Sequence, residues 1–144
     1  MDIRQITPTY FVAPQIDPAD MGDIAAAGIT TVICNRPDEE VPAPLQADAL
    51  EAAAHAAGLV FVRLALTHQT MTPQNVALQM SHAADANGPV LAYCASGTRS
   101  TVVWCFGQAG DMATDDILAA ARAGGYDLGN LRPTLDAIAA SKSP

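Results

Sequence analysis

The chain has 144 residues, half of them hydrophobic, with 7 Lys and Arg against 15 Asp and Glu for a formal charge of −8. That length suits one domain with a full apolar core, and the acidic balance excludes a surface built to hold nucleic acid, which needs a basic stripe. Three widely spaced cysteines exclude a disulfide framework. With no leader-like start and no membrane-length apolar run, the expected setting is a reducing cytoplasm, away from membranes. No Cys-x-x-Cys pair or His-rich tract is present, so neither a metal nor a cofactor is expected.

In chain order, Tyr10–Ala13 reads as the first strand, closed by Pro14. Asp17 followed by Pro18 opens a helix that stops at Gly28. The β-branched run Ile29-Thr30-Thr31-Val32-Ile33-Cys34 predicts a strand buried on both faces. Asn35, Arg36, Pro37 and Asp38 follow at its C-terminal end, the edge where open α/β sheets bind ligands. Residues 41–47 read as a loop into an alanine-rich helix ending at Gly58, and 59–66 as a third strand. Thr72 and Pro73 open another helix by the same cap-and-proline device, reaching about Asn87. Val90–Tyr93 is the next strand, and 101–108 a buried helix. Thr114-Asp115-Asp116 caps a helix to Gly124-Gly125, 131–140 forms the last helix, and 141–144 a frayed tail. Strands alternate with helices, which predicts an α/β domain over 1–144: a mainly parallel sheet of four to five strands with helices on both sides.

The chemistry concentrates in Tyr93-Cys94-Ala95-Ser96-Gly97-Thr98-Arg99-Ser100, between the Val90–Tyr93 strand and the helix after it. A strand–loop–helix turn aims backbone N–H groups into one concavity and sets a helix N-terminus behind it, a natural anion site. Cys94 there would be a reactive thiolate. Arg99 would offer paired donors to an oxyanion, and Ala95, Ser96, Gly97, Thr98 and Ser100 would line the anion-binding loop. The rival reading makes Cys94 an inert core thiol.

The spacing resembles two families. Cysteine-dependent phosphatases carry His-Cys-x5-Arg followed by Ser or Thr; rhodanese-type sulfurtransferases carry Cys-x-x-Gly-x-Arg or -Thr. This chain has the shorter Cys94-x-x-Gly97-x-Arg99, with Tyr93 in place of the His. Over nearly its whole length it is also similar to small bacterial rhodanese-like sulfur transferases, a family that includes the phosphatase-like domain of beta-lactamase-hydrolase-like proteins. The similarity is carried by Arg4-Gln5-Ile6-Thr7-Pro8, Val12-Ala13-Pro14-Gln15, the run from Ile29 to Asp38, Gly125-Tyr126-Asp127-Leu128 and Leu131-Arg132-Pro133. The resemblance implies a dual-specificity-phosphatase-like fold carrying a rhodanese-length loop. It also implies sulfide and persulfide metabolism, beside a persulfide dioxygenase or another sulfide-oxidising enzyme.

The expected reaction is transfer of sulfane sulfur from thiosulfate or a low-molecular-weight persulfide through a Cys94 persulfide. A phosphatase and a non-catalytic anion-binding module are the alternatives. A phosphatase needs a general acid on the loop after an earlier strand, and Thr67-His68-Gln69-Thr70-Met71 has no carboxylate. His68 is the candidate proton donor and substrate contact there, and Asp38 suits a turn better. Arg36 is expected either to touch the donor's sulfonate or carboxylate, or to pair with Asp38, Glu39 or Glu40. Cys34 is either a second thiol that resolves the persulfide or core filling, and Cys105 is inert. His55 and His82 are structural or exposed.

Overall fold

The pattern of alternating apolar segments resolves into one five-stranded sheet, described by a computed structural model over residues 1–142. The strands are β1 (Arg4–Thr7), β2 (Tyr10–Ala13), β3 (Thr31–Cys34), β4 (Val60–Arg63) and β5 (Val90–Tyr93), in the order β1-β2-β5-β3-β4. All neighbours are parallel except β1 and β2, which form an antiparallel hairpin. β3 and β5 are buried at every position, as their unbroken apolar sequences require of central strands.

The helices divide between two layers. Leu91, Tyr93, Val32 and Cys34 share a core with Met21 and Ile24 of α1 (Met21–Ala26) and Leu50 and Ala54 of α2 (Ala47–Ala56). Val90, Ala92 and Ile33 point the other way, as strand alternation demands. There they meet α4 (Thr98–Gln108), α5 (Thr114–Ala123) and α6 (Arg132–Lys142), with Met80 and Ala83 of α3 (Pro73–Asp85) packed at the margin.

Several expected boundaries move. The hairpin strand β1 was not anticipated, because Arg4-Gln5-Ile6-Thr7 places only one apolar side chain inward. Asp17 does cap, in a capping box with Asp20, but it caps a 3-10 turn (Pro18–Asp20) leading into α1. The expected loop at 41–47 contains a further 3-10 turn (Ala43–Leu45). Thr72 caps α3 by accepting from the Asn75 N–H at 3.2 Å. Thr114 does not cap α5; its hydroxyl donates to Asp136 at 2.6 Å, tying α5 to α6. The buried helix begins at Thr98, earlier than the apolar run suggested. Of the expected frayed tail, Ser141 and Lys142 belong to α6, and the rest lies outside the described residues.

The register sets the site. Ala13, Cys34 and Tyr93 lie side by side, with Arg63 beside Cys34. The segments that follow all four parallel strands therefore leave the sheet along one edge. No helix among the described residues is long and apolar enough to cross a membrane.

Candidate active site

The loop begins pinned on both sides. The Asn35 N–H donates to Tyr93 O at 2.9 Å, the Cys94 N–H to Ala13 O at 3.4 Å and the Gln15 N–H to Ala95 O at 3.2 Å. The chain then turns at Gly97, whose φ of +91° a side-chain-bearing residue adopts only under strain. A Cβ at that position would also overlap the hydroxyl of Tyr126, which donates to Ser96 O at 3.0 Å. The result is a Gly97 N–H aimed at Cys94 Sγ, 3.1 Å away, with α4 starting one residue later. Cys94 is only 1 % exposed, yet its sulfur faces the loop amide. A backbone donor and a helix N-terminus are the surroundings in which a cysteine works as a nucleophile. The Thr98 N–H is taken by Ser96 Oγ at 3.3 Å, and Ser96 in turn donates to Thr98 Oγ1 at 2.9 Å. Ala95 and Ser96 form the exposed tip.

Ser100 departs from its expected place in the anion-binding lining. It is fully buried in the first turn of α4, and its hydroxyl donates to Asn35 Oδ1 at 2.8 Å. Asn35 Nδ2 donates to Leu64 O and to Gln79 Oε1, both at 2.9 Å. Gln79 Nε2 returns bonds of 3.1 Å to Asn35 Oδ1 and to Tyr10 Oη, and Tyr10 donates to Ser100 O at 2.7 Å. This closed polar ring lies beneath the loop and joins β2, the end of β3, α3 and α4. Burial pushes the Tyr10 phenol well above its ordinary value, so it remains a neutral donor.

Arg99 does offer paired donors, but to a carboxylate of the chain itself. Its Nη1 and Nη2 donate to Glu40 Oε2 and Oε1 at 2.9 and 2.6 Å, and Nη1 also reaches Leu66 O at 2.9 Å. Arg36 joins from the other side, with Nε to Glu40 Oε1 at 3.2 Å, Nη2 to Glu40 O at 3.3 Å and Nη1 to Gln15 Oε1 at 3.1 Å. Of the three carboxylates offered to Arg36 by the sequence, the structure selects Glu40. Hydrogen bonding to Arg99, against the opposing effect of burial and with help from Arg36, holds the Glu40 carboxyl below its ordinary value. The same pairing raises Arg99.

The remaining candidates take no part in these ion pairs. His68 is exposed on the loop after β4. Asp38 Oδ1 accepts from the Ala47 N–H at 2.8 Å and so anchors the start of α2. Cys34 faces the α1–α2 layer and donates to Arg36 O at 3.4 Å, its thiol pushed up by burial. Beside it lies the buried Tyr93 hydroxyl, which has no oxygen or nitrogen partner among the described residues. Cys105 is fully buried in α4 and pushed up to about 12 by burial. All three thiols are free. Sequence reasoning missed the pairing of Glu40 with Arg99 and the parts played by Tyr126 and Gln79. Gln79 could have been found from its spacing, since it shares the inward face of α3 with Val76, Met80 and Ala83.

Residues 2–111 match the family model of the beta-lactamase hydrolase-like protein, phosphatase-like domain. The chain belongs to that family. It is 31 % identical over 130 residues to the beta-lactamase hydrolase-like protein of Agrobacterium fabrum, covering 89 % of this chain but 30 % of the relative. This phosphatase-like domain thus spans about a third of the curated relatives it matches. Among solved structures it is similar to a candidate phosphatase of Neisseria meningitidis Z2491. The two are 34 % identical, with a TM-score of 0.86 over 96 % of this chain and 99 % of that one. PTPMT1, solved with PI(5)P, shares the fold at 15 % identity and a TM-score of 0.71, over 99 % of this chain and 100 % of that one. The phosphatase-like fold and family stand on these matches, and none of them is to a rhodanese. PTPMT1 shows the fold alone; the family match and the Neisseria relative support the phosphatase alternative better than the sulfurtransferase reading of the sequence.

Proposed function

We propose that the chain moves sulfane sulfur from a small anionic donor, thiosulfate or a low-molecular-weight persulfide, through a persulfide on Cys94. The observation that supports this reading is a sulfur nucleophile under the Gly97 N–H whose neighbouring carboxylate, Glu40, is held ionised by two guanidiniums and has no proton to give. Phosphate-ester cleavage needs a proton for the departing alkoxide; sulfite leaves thiosulfate as a stable anion. In the first step Cys94 thiolate attacks the outer sulfur, a new S–S bond forms, and the donor's S–S bond breaks with its electron pair going to sulfite. In the second, a thiolate or cyanide takes the outer sulfur and restores the Cys94 thiolate. The physiological acceptor in this reading serves a persulfide dioxygenase or another sulfide-oxidising enzyme.

A second reading, hydrolysis of a phosphate monoester through a phosphocysteine, is favoured by the family match and by the candidate phosphatase relative. With no carboxylic acid beside Arg99, that activity would be confined to esters with good leaving groups, such as aryl phosphates. One experiment separates the two. Intact-protein mass spectrometry after thiosulfate treatment should show one added sulfur, absent in Cys94→Ser and retained in Cys34→Ser and Cys105→Ser. An unmodified protein that hydrolyses aryl phosphate through Cys94 would replace the first reading with the second. Anion binding with neither chemistry would leave only a binding module.

A further inference from the structure

Arg99 grips Glu40 with the two-pronged geometry that a guanidinium uses on a sulfonate, carboxylate or phosphate. We infer that Glu40 and the oxyanion of the substrate compete for Arg99, so that Glu40 sets which anions the site accepts and how tightly. This rests on the Cys94 loop being the substrate site proposed above.

Three features favour exchange over a fixed strut. The Glu40 side chain is 34 % exposed and stands at the end of the 3-10 turn Asp38–Glu40, with solvent on its outer side. Arg36 holds both its carboxylate and its backbone oxygen, so on leaving Arg99 the glutamate keeps one of its two cationic partners. Arg99 has its own anchor on Leu66 O at 2.9 Å, which keeps the fork aimed without help from Glu40. The ion-paired cluster itself holds two guanidiniums for one carboxylate, so displacing Glu40 leaves Arg99 a free fork for the incoming anion, with Asp38 and Glu39 on the same turn. A weakly basic or singly bound anion exchanges poorly with a carboxylate already chelated. The arrangement therefore selects donors whose oxyanion accepts two parallel bonds, such as thiosulfate.

Inorganic sulfate is the probe, titrated calorimetrically into the intact protein. Glu40→Gln should bind it roughly tenfold more tightly, because the competing occupant is removed. Glu39→Gln, exposed on the same turn and carrying the same charge change, should leave affinity near wild type. Glu40→Ala repeats the test without an amide, and thermal melts confirm that each variant is folded. In turnover with thiosulfate, KM should fall for Glu40→Gln while kcat holds. Weaker sulfate binding in Glu40→Gln would make the residue a positioning strut and overturn the inference, as would equal effects of the two glutamine variants. Sulfate binding needs no sulfur chemistry. Tighter binding without any Cys94 persulfide would sink the transferase reading alone, and persulfide formation with unchanged sulfate affinity would sink this inference alone.

Discussion

Replacing Asn35 with alanine tests the buried ring beneath the loop most severely. Asn35, Gln79 and Ser100 are all fully buried. The substitution strips Gln79 Oε1 and Ser100 Oγ of the partner each bonds, at 2.9 and 2.8 Å. A buried polar group left without a partner costs about 1–3 kcal/mol, so two cost about 2–6 kcal/mol before any cavity is counted. Domain stabilities run to about 5–15 kcal/mol, so this is a large share, and the melting temperature should drop by roughly 10 °C. Ser100→Ala tests the same ring from its hydroxyl side. Alone it should cost only about 1 kcal/mol, since Asn35 Oδ1 still accepts from Gln79 at 3.1 Å. In the Asn35→Ala background it should be neutral or stabilising, because it removes a hydroxyl already orphaned. Urea unfolding of the four proteins gives the coupling directly. Equal costs for Ser100→Ala in both backgrounds would refute the idea that the ring acts as one unit.

Gly97→Ala should destabilise by about 2 kcal/mol or more in chemical denaturation, combining the φ of +91° with overlap on the Tyr126 hydroxyl; adding Tyr126→Phe should recover only part, since the ring carbon is also close. Cys94 should be the only thiol that a small alkylating reagent labels in the native protein, whereas Cys105, pushed up to about 12, should react only after unfolding, as peptide mapping would show. The folded-state pKa of Glu40 is lowered, so its contribution to stability is present above the ordinary carboxylate range and is lost as pH falls through the lowered value. The stability gap between wild type and Glu40→Gln should therefore shrink on acidification; a gap that widened would contradict the ion pairing.

Much of this was legible in the sequence because it is local. Thr72 before Pro73, the run Thr31–Cys34 and the Cys94 loop each announce themselves within a few residues. What escaped was long-range. Glu40 meets Arg99 across 59 positions and Asn35 meets Gln79 across 44; the spacing on α3 points Gln79 inward but does not name its partner. Ser100 reads as a loop or helix-start serine until the fold brings Asn35 against it. The short strand Arg4–Thr7 was hidden for another reason: at the margin of a sheet a strand needs few apolar side chains, and only Ile6 is buried.

The brace on the reactive loop comes from late in the chain. Tyr126 lies 30 positions beyond the carbonyl it steadies, and its ring sits under the Arg4 guanidinium at 5.5 Å from its centroid. During synthesis, then, the nucleophilic thiol emerges well before the phenol that holds its turn in shape. The brace closes only when the first strand and the segment after α5 have met, so a nascent chain arrested before Tyr126 carries the cysteine without this hydrogen bond on its turn.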